Sequence, residues 1–422
     1  MTTNQLNPNS TEEKLIWFGL TLTYPFFAFG GLYIMGSVLG WMIFAVVLLR
    51  WYVNGKDKFS AIPAIVWLWV IGGLFMLLAL LIGHSNWDLG LAKTIKSSIG
   101  WAKGWALMPL FLFIGAFVDI KPQLIVRAVC IVSFHSLIFG LVTMALYMAG
   151  VHGDLFVSPL KVIGGPGETF FTVSFFGLNP ETGAGRWRFF TPWAPAAGFM
   201  ACIFLIFTCQ EKDSFWRSTG LLGSFVMSLL SQSRAGWVIY IALTPLCFLH
   251  KHFKNPMLLV LIGLVIPAIT LLGEPLFSWL SNSYADIKAS RPESTRVRNT
   301  LEVLALQRWE SEAPIWGHGI VERGPKIVEG MPIGSHHSWY GLLFVKGIVG
   351  LLALAIPLAF TCIYLFWNSL KSQICYTAAL MLVVFICYSF FENLEILSFI
   401  YWPALLWIGI ALNPLKSGEK YV

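Results

Sequence analysis

Charge is what this chain has least of. Asp, Glu, Lys and Arg make up 12% of its 422 residues, against roughly 25% in an ordinary soluble domain. So few charges cannot cover a fold of this size in water. Cysteine is also sparse. The seven cysteines (Cys130, Cys202, Cys209, Cys247, Cys362, Cys375 and Cys387) fall in or beside apolar runs, and no CxxC occurs. They read as small buried hydrophobes, not as disulfides or metal ligands. HExxH, DxD and Walker-type glycine loops are missing, and no carboxylate cluster resembles a magnesium site. No metal and no cofactor are therefore expected. Internal repeats and low-complexity tracts are absent, so residues 1–422 are expected to form one integral membrane domain. Met1 to Lys14 is polar and acidic, so no cleavable signal peptide is expected.

Apolar residues fill the space that charge leaves. They make up 57% of the chain, and the mean hydropathy is +0.73. Runs of about 20 such residues recur, each long enough to cross roughly 30 Å of hydrocarbon as a helix. They lack the alternation of a membrane β-barrel. The expected class is an all-α polytopic membrane protein. About twelve spans are expected, at 15–31, 33–52, 61–83, 101–118, 123–149, 191–210, 217–232, 235–250, 256–273, 339–367, 373–391 and 394–412. The net charge of +7 belongs with basic residues flanking membrane helices, and no nucleic-acid partner is expected.

An even count puts both termini on one side, with the short basic segments Arg50 to Lys58, Glu211 to Arg217, His250 to Lys254, Lys371 and Lys416 to Lys420. That side is expected to be the cytoplasm. Three long connections fall opposite: His84 to Gly100, Val151 to Phe190, and Glu274 to Ser338. Lys93 and Lys96 in the first run against the charge rule. The third is the only large polar segment, and its stretch Asn299 to Trp309 has an amphipathic helical pattern. Pro314 and Gly317-His318-Gly319 are expected to end that helix.

Several residues on this second side could carry chemistry. Arg234, in Ser231-Gln232-Ser233-Arg234-Ala235-Gly236, is the only charge between Arg217 and His250. An arginine at membrane depth is either a snorkelling anchor or an anion contact. Arg291, Arg296, Arg298 and Arg308 lie in the polar loop among Glu293, Glu302, Glu310 and Glu312. They form either ordinary surface pairs or, with their planar forks, a phosphate clamp. His336 and His337 precede an apolar run, and a neutral histidine is a general base near pH 7. Gly185 to Trp193 opens a span with Arg186, Trp187 and Arg188. Its aromatics could stack on sugars or form an interfacial belt, and Trp339 has the same two roles open. Glu392 and Glu395, at the end of a late span, could pair with an arginine or a histidine.

Taken in order, these pieces resemble the O-antigen ligase-like superfamily of ligases, polysaccharide polymerases and protein O-oligosaccharyltransferases. The matching residues are Ser233-Arg234-Ala235 at a helix junction; Arg298 followed by Ala305-Leu306; Pro314 with Gly317-His318-Gly319; and His336 followed by Gly347 and Gly350. They cover roughly residues 185 to 365. The chain departs from the family pattern at three positions, with His337 for the usual asparagine, Val345 for an acidic residue and Glu302 for a tryptophan.

The resemblance implies a GT-C-like, metal-independent inverting glycosyltransferase in the bacterial inner membrane, its site facing the periplasm and capped by the loop 274–338. Its donor would be a glycan on undecaprenyl diphosphate. Its acceptor would be lipid A-core in a ligase, or a lipid-linked repeat unit in a polymerase, with membrane lipid around it. Arg234 and Arg298, with Arg296 in reserve, would contact the diphosphate. His336, or His337 one position on, would activate the acceptor hydroxyl. Arg188, Trp187 and Trp339 are the weaker glycan contacts. A transporter or flippase is the expectation from another class. It would bring inverted repeats and mid-membrane charges, whereas here the notable charges gather on one face.

Overall fold

The computed structural model describes residues 6–54, 62–151, 153–179, 183–249, 292–334 and 337–417. The expected span 256–273, Arg291 and His336 lie outside them. The described chain is a helical bundle. In order it runs α1 (Thr11–Thr21), α2 (Thr23–Ala28), α3 (Leu32–Asn54), α4 (Ala64–Asn86), α5 (Leu91–Lys103), α6 (Leu107–Phe117), α7 (Pro122–Met148), α8 (Ala194–Thr208), α9 (Ser214–Ser231), α10 (Arg234–Leu249), α11 (Pro292–Glu312), α12 (Ser338–Ser369), α13 (Gln373–Ser389) and α14 (Leu394–Leu412). Among the described residues, six segments are long and apolar enough to cross a membrane by length and composition: Leu32–Val53, Ala64–Asn86, Leu91–Phe117 (α5 and α6 taken together), Pro122–Met148, Ser338–Ser369 and Leu394–Leu412. Their outer faces carry exposed Leu, Ile, Phe and Trp, as at Leu352, Ile356, Phe360 and Trp367 on α12. A water-soluble monomer does not present so continuous an apolar surface, so the protein is membrane-embedded.

Local chemistry explains where the helices start. Ser10 and Glu13 form a capping box on α1. Asp213 caps α9 and Ser372 caps α13, each offering a side-chain oxygen to an orphan backbone N–H. α14 lies at the centre, with 89% of its apolar window buried, whereas α12 faces outward with 28%.

Hydrogen bonds and ion pairs divide the bundle into two ends. At one end Arg50 meets Glu12 and Arg127 meets Glu211, while Lys416 donates to the Gly115 carbonyl and Ser372 to that of Ser417. The first and last described helices, and the short basic segments among the described residues, share this end. At the other end lie the long connections. The described residues between 151 and 190 form two small antiparallel strand pairs, β1 (Asp154–Val157) with β2 (Thr172–Ser174) and β3 (Gly177–Leu178) with β4 (Gly185–Arg186).

Three local expectations change. The stretch 15–31 is two helices, broken at Leu22. The stretch 101–118 is not one helix either, because α5 and α6 meet at Gly104. On α5, Leu91, Ile95 and Ile99 are exposed at an i, i+4, i+8 spacing, and Lys93 and Lys96 lie between them. This is the pattern of a helix lying in a membrane interface, which gives those lysines a place that a loop-charge rule does not foresee. Finally, the loop helix is longer than Asn299–Trp309, because α11 starts at Pro292. It buries Val297, Leu301 and Ala305, one stripe at i, i+4, i+8.

Candidate functional site

The long-connection end is organised by a break in α12. Gly347 has φ 62 and ψ −163 inside the helix, a conformation only glycine adopts freely. The interrupted hydrogen bonds are completed by the segment after α11. His318 and Gly319 donate their N–H groups to the Phe344 and Val345 carbonyls at 2.9 Å each. The Pro314 and Ile315 carbonyls accept from Ile348 at 3.0 Å and Val349 at 3.3 Å. A Cβ on Gly317 would collide with the backbone of Val345 and Lys346, and one on Gly347 with the Ile315 carbonyl. Irregular backbone at membrane depth persists only where protein satisfies it. The two glycines, Gly317 and Gly347, 30 positions apart in sequence, therefore belong to one structural unit, which anchors the loop onto the bundle.

His318 is fixed within it. The ring is fully buried, with Nδ1 at 3.0 Å from the Phe344 carbonyl and Nε2 at 2.8 Å from Glu312. It lies between Phe344, 4.2 Å away, and Trp87, 5.0 Å away, both stacked. Arg308 clamps Glu312 at 2.8 Å and Glu322 at 2.6 Å. The Arg308 guanidinium holds the Glu312 carboxyl down to about 2. Arg308 thus serves as an internal tie.

A second centre sits at the corner between α13 and α14. Glu392 is buried and accepts a hydrogen bond from the Trp193 indole at 2.9 Å. Its backbone carbonyl accepts from Ser338 Oγ at 2.7 Å, and the same hydroxyl accepts from Leu394 N–H at 3.0 Å. The corner is thereby tied to the start of α12. Burial pushes the Glu392 carboxyl up to about 7, against the opposing pull of the Arg298 charge, the Trp193 indole and the Arg186 charge. Asn393 Oδ1 beside it is buried with no hydrogen-bond partner among the described residues.

The structure separates the candidate arginines. Arg298 is half-buried, and its charge acts on Glu392 and on Glu302. Arg296, two residues away on α11, points elsewhere and donates to the Ile327 carbonyl at 3.2 Å. Arg234 begins α10 and borders a cavity with Trp187, Gln232 and Trp237. The junction before it is tightly built. Gln232 is left-handed at φ 49, and Ser233 Oγ accepts from Gly236 N–H at 3.1 Å. A Cβ on Gly198 or Gly236 would press on Ser233 and Tyr388, which explains the small residues around Arg234.

Arg186 links the two places. It donates to the Ser231 carbonyl at 3.0 Å and the Gln232 carbonyl at 3.4 Å, and its charge also reaches Glu392. Sequence reasoning passed over it for Arg188. Arg188 is instead engaged with Asp154 at 2.7 Å and with Ser174, where it fastens β4 to the first strand pair. Trp187 is 2% exposed and donates to Thr143 Oγ1 at 2.8 Å, so its ring is core. Trp339 donates to Ser389 Oγ at 2.8 Å, and it is half-buried.

His337 has a structural task. It is the N-cap of α12, its Nδ1 accepting from Tyr340 N–H at 3.3 Å, and its ring stacks on Tyr340 at 4.1 Å. Burial pushes it down to about 4. An acceptor Nδ1 leaves the proton on Nε2, the tautomer of a cap. Asparagine is a favoured N-cap, so a ring nitrogen here does the work an amide oxygen does elsewhere. Among the described residues no group of three or more His, Cys, Asp or Glu side chains could hold a metal ion. No family model matches this chain, and no curated protein matches it.

Proposed function

We propose that this protein is a metal-independent inverting glycosyltransferase of the O-antigen ligase-like kind. It moves a glycan from undecaprenyl diphosphate to an acceptor at the periplasmic face of the bacterial inner membrane. The observation that carries this proposal is the Glu392 corner. There, the charge of Arg298 from the polar loop and that of Arg186 from the Arg234 junction converge on one buried carboxylate, beside the start of the helix that follows His336-His337.

The chemistry follows from that convergence. The acceptor oxygen attacks the anomeric carbon as the bond to the diphosphate oxygen breaks. The hydroxyl proton passes to a base, and the electron pair leaves on the diphosphate. Arg234, Arg298 and Arg186 stabilise the departing charge, a role for fixed donors in a water-poor site. His336 is the proposed base. Glu392 holds Arg186 and Arg298 as their shared counter-ion. About twelve spans hold the prenyl chain. The loop 274–338 caps the site, and the end bearing Arg50 and Lys416 faces the cytoplasm.

Lipid A-core is the proposed acceptor, which makes the protein an O-antigen ligase. The deciding experiment is the carrier-lipid content of a deletion strain. Full-length glycan on carrier lipid is the expected result. Single repeat units there would make it a polymerase, and no change in lipid-linked glycan would contradict transfer altogether.

A further inference from the structure

Beyond the diphosphate end, an open cavity lies between the end of α4 and the segment following α11. Asn86, Trp87, Glu312 and Trp316 line it. Trp87 is 40% exposed, and one side of its indole is taken by the stack on His318. His318 is itself stacked on Phe344, so the indole is a rigid platform. Glu312 keeps 34% of its side chain exposed, while Arg308 and His318 fix its direction. Asn86 is exposed and offers both a donor and an acceptor.

An aromatic platform beside an oriented carboxylate and an amide matches the chemistry of a pyranose. The polarised C–H face of the sugar packs on the negative face of an indole, and neighbouring hydroxyls donate to a carboxylate. The ion pairs of Glu312 hold it in its acceptor form. Fourteen residues of α11 separate Glu312 from Arg298, about 21 Å at helical rise. An oligosaccharide covers that distance, and a single sugar does not.

We propose that this cavity is a carbohydrate subsite, which grips a pyranose of the glycan remote from the transferred bond. The proposal rests on the glycosyltransferase reading for its place in the reaction. Its binding chemistry stands on the cavity alone.

The test uses the whole protein in lipid nanodiscs, as wild type, Trp87→Leu and Asn86→Ala. Transfer is measured with a long and a truncated glycan on each side of the reaction. Both variants are expected to lower the ratio of kcat/KM for long over truncated glycan, about five- to tenfold for Trp87→Leu. The side on which the ratio falls, donor or acceptor, identifies the glycan that is gripped. A loss that was merely structural would leave the ratio unmoved. In parallel, saturation-transfer NMR with free core oligosaccharide and free repeat-unit oligosaccharide should give contacts with one of them that Trp87→Leu abolishes. Unchanged ratios in both variants, or saturation indifferent to both substitutions, would overturn the subsite. Wild type that transfers nothing would sink the enzymatic reading, and the NMR measurement would still decide the subsite.

Discussion

The Arg50 end of this bundle and the Glu392 corner at the opposite end treat charge in opposite ways. At the end bearing Arg50 and Lys416, acids and bases sit in direct pairs, such as Arg127 with Glu211 at 2.8 Å and Arg50 with Glu12 at 2.8 Å. The opposite end has direct pairs too, such as Arg308 with Glu312 and Arg188 with Asp154, but at its corner Glu392 is buried with an indole as its hydrogen-bonding side-chain partner among the described residues, and the Arg298 and Arg186 charges act on it from a distance. Buried charge without close compensation is destabilising, and proteins retain such arrangements mainly where chemistry needs them. In the proposed reaction, an anionic diphosphate at the Glu392 corner would meet the Arg298 and Arg186 charges that act on that carboxylate.

Substitutions around the Glu392 corner and at the Arg234 junction should have the largest effects. Arg298→Ala and Arg234→Ala are each expected to lower transfer by about 10²–10³, measured as kcat with purified protein. Lysine should restore little, since a point charge does not reproduce the fork. If Arg298→Lys worked normally, the Glu392 corner would be no more demanding than the paired end.

Arg186 and Arg188 sharpen the contrast within one strand end. Arg186→Lys should lower activity by up to about a hundredfold, as expected of a misplaced site. Arg188→Lys, which keeps a cation near Asp154, should lower it by less than about threefold. The opposite order in a transfer assay would return the glycan contact to Arg188.

Glu392→Gln should separate stability from activity. The folded-state value of Glu392 lies near 7, above the ordinary 4.5. As pH rises, the unfolded chain therefore loses this proton first. Wild-type stability should fall between about pH 4.5 and pH 7 and level off above, by roughly 3 kcal/mol in all. Glutamine should abolish that slope, raise the melting temperature at pH 8 and lower transfer. A melting temperature that fell at pH 8 would make Glu392 a structural ion pair like those of the other end.

Smaller effects are expected from His337→Asn, which keeps the cap on α12. His337→Ala should lower stability by about 1 kcal/mol, read by thermal unfolding. Smallest of all, Lys121→Ala at the paired end removes a 3.9 Å contact with Glu13 from a half-exposed lysine. It should change stability by less than about 1 kcal/mol and transfer not at all.

Hydropathy made the helical membrane class legible, because long apolar runs have one physical outcome. Arg234 stood out as an isolated charge in an apolar stretch, whereas Arg298 was one of four loop arginines and only the family resemblance singled it out. What hydropathy cannot express is long-range pairing. The break at Gly347 depends on Pro314 to Gly319, and the division of labour between Arg186 and Arg188 depends on Asp154 and Gln232. The capping role of His337 depends on the direction of one ring nitrogen. No local pattern carries these facts.

The proposal that arginines take the place of a metal at this site is tested most directly by one assay. Purified protein, a lipid-linked glycan donor and a lipid A-core acceptor are combined in excess EDTA. Transfer at the full rate, lost on His336→Ala and on Arg298→Ala, is the predicted result. Transfer that vanished with chelator and returned with magnesium or manganese would contradict it.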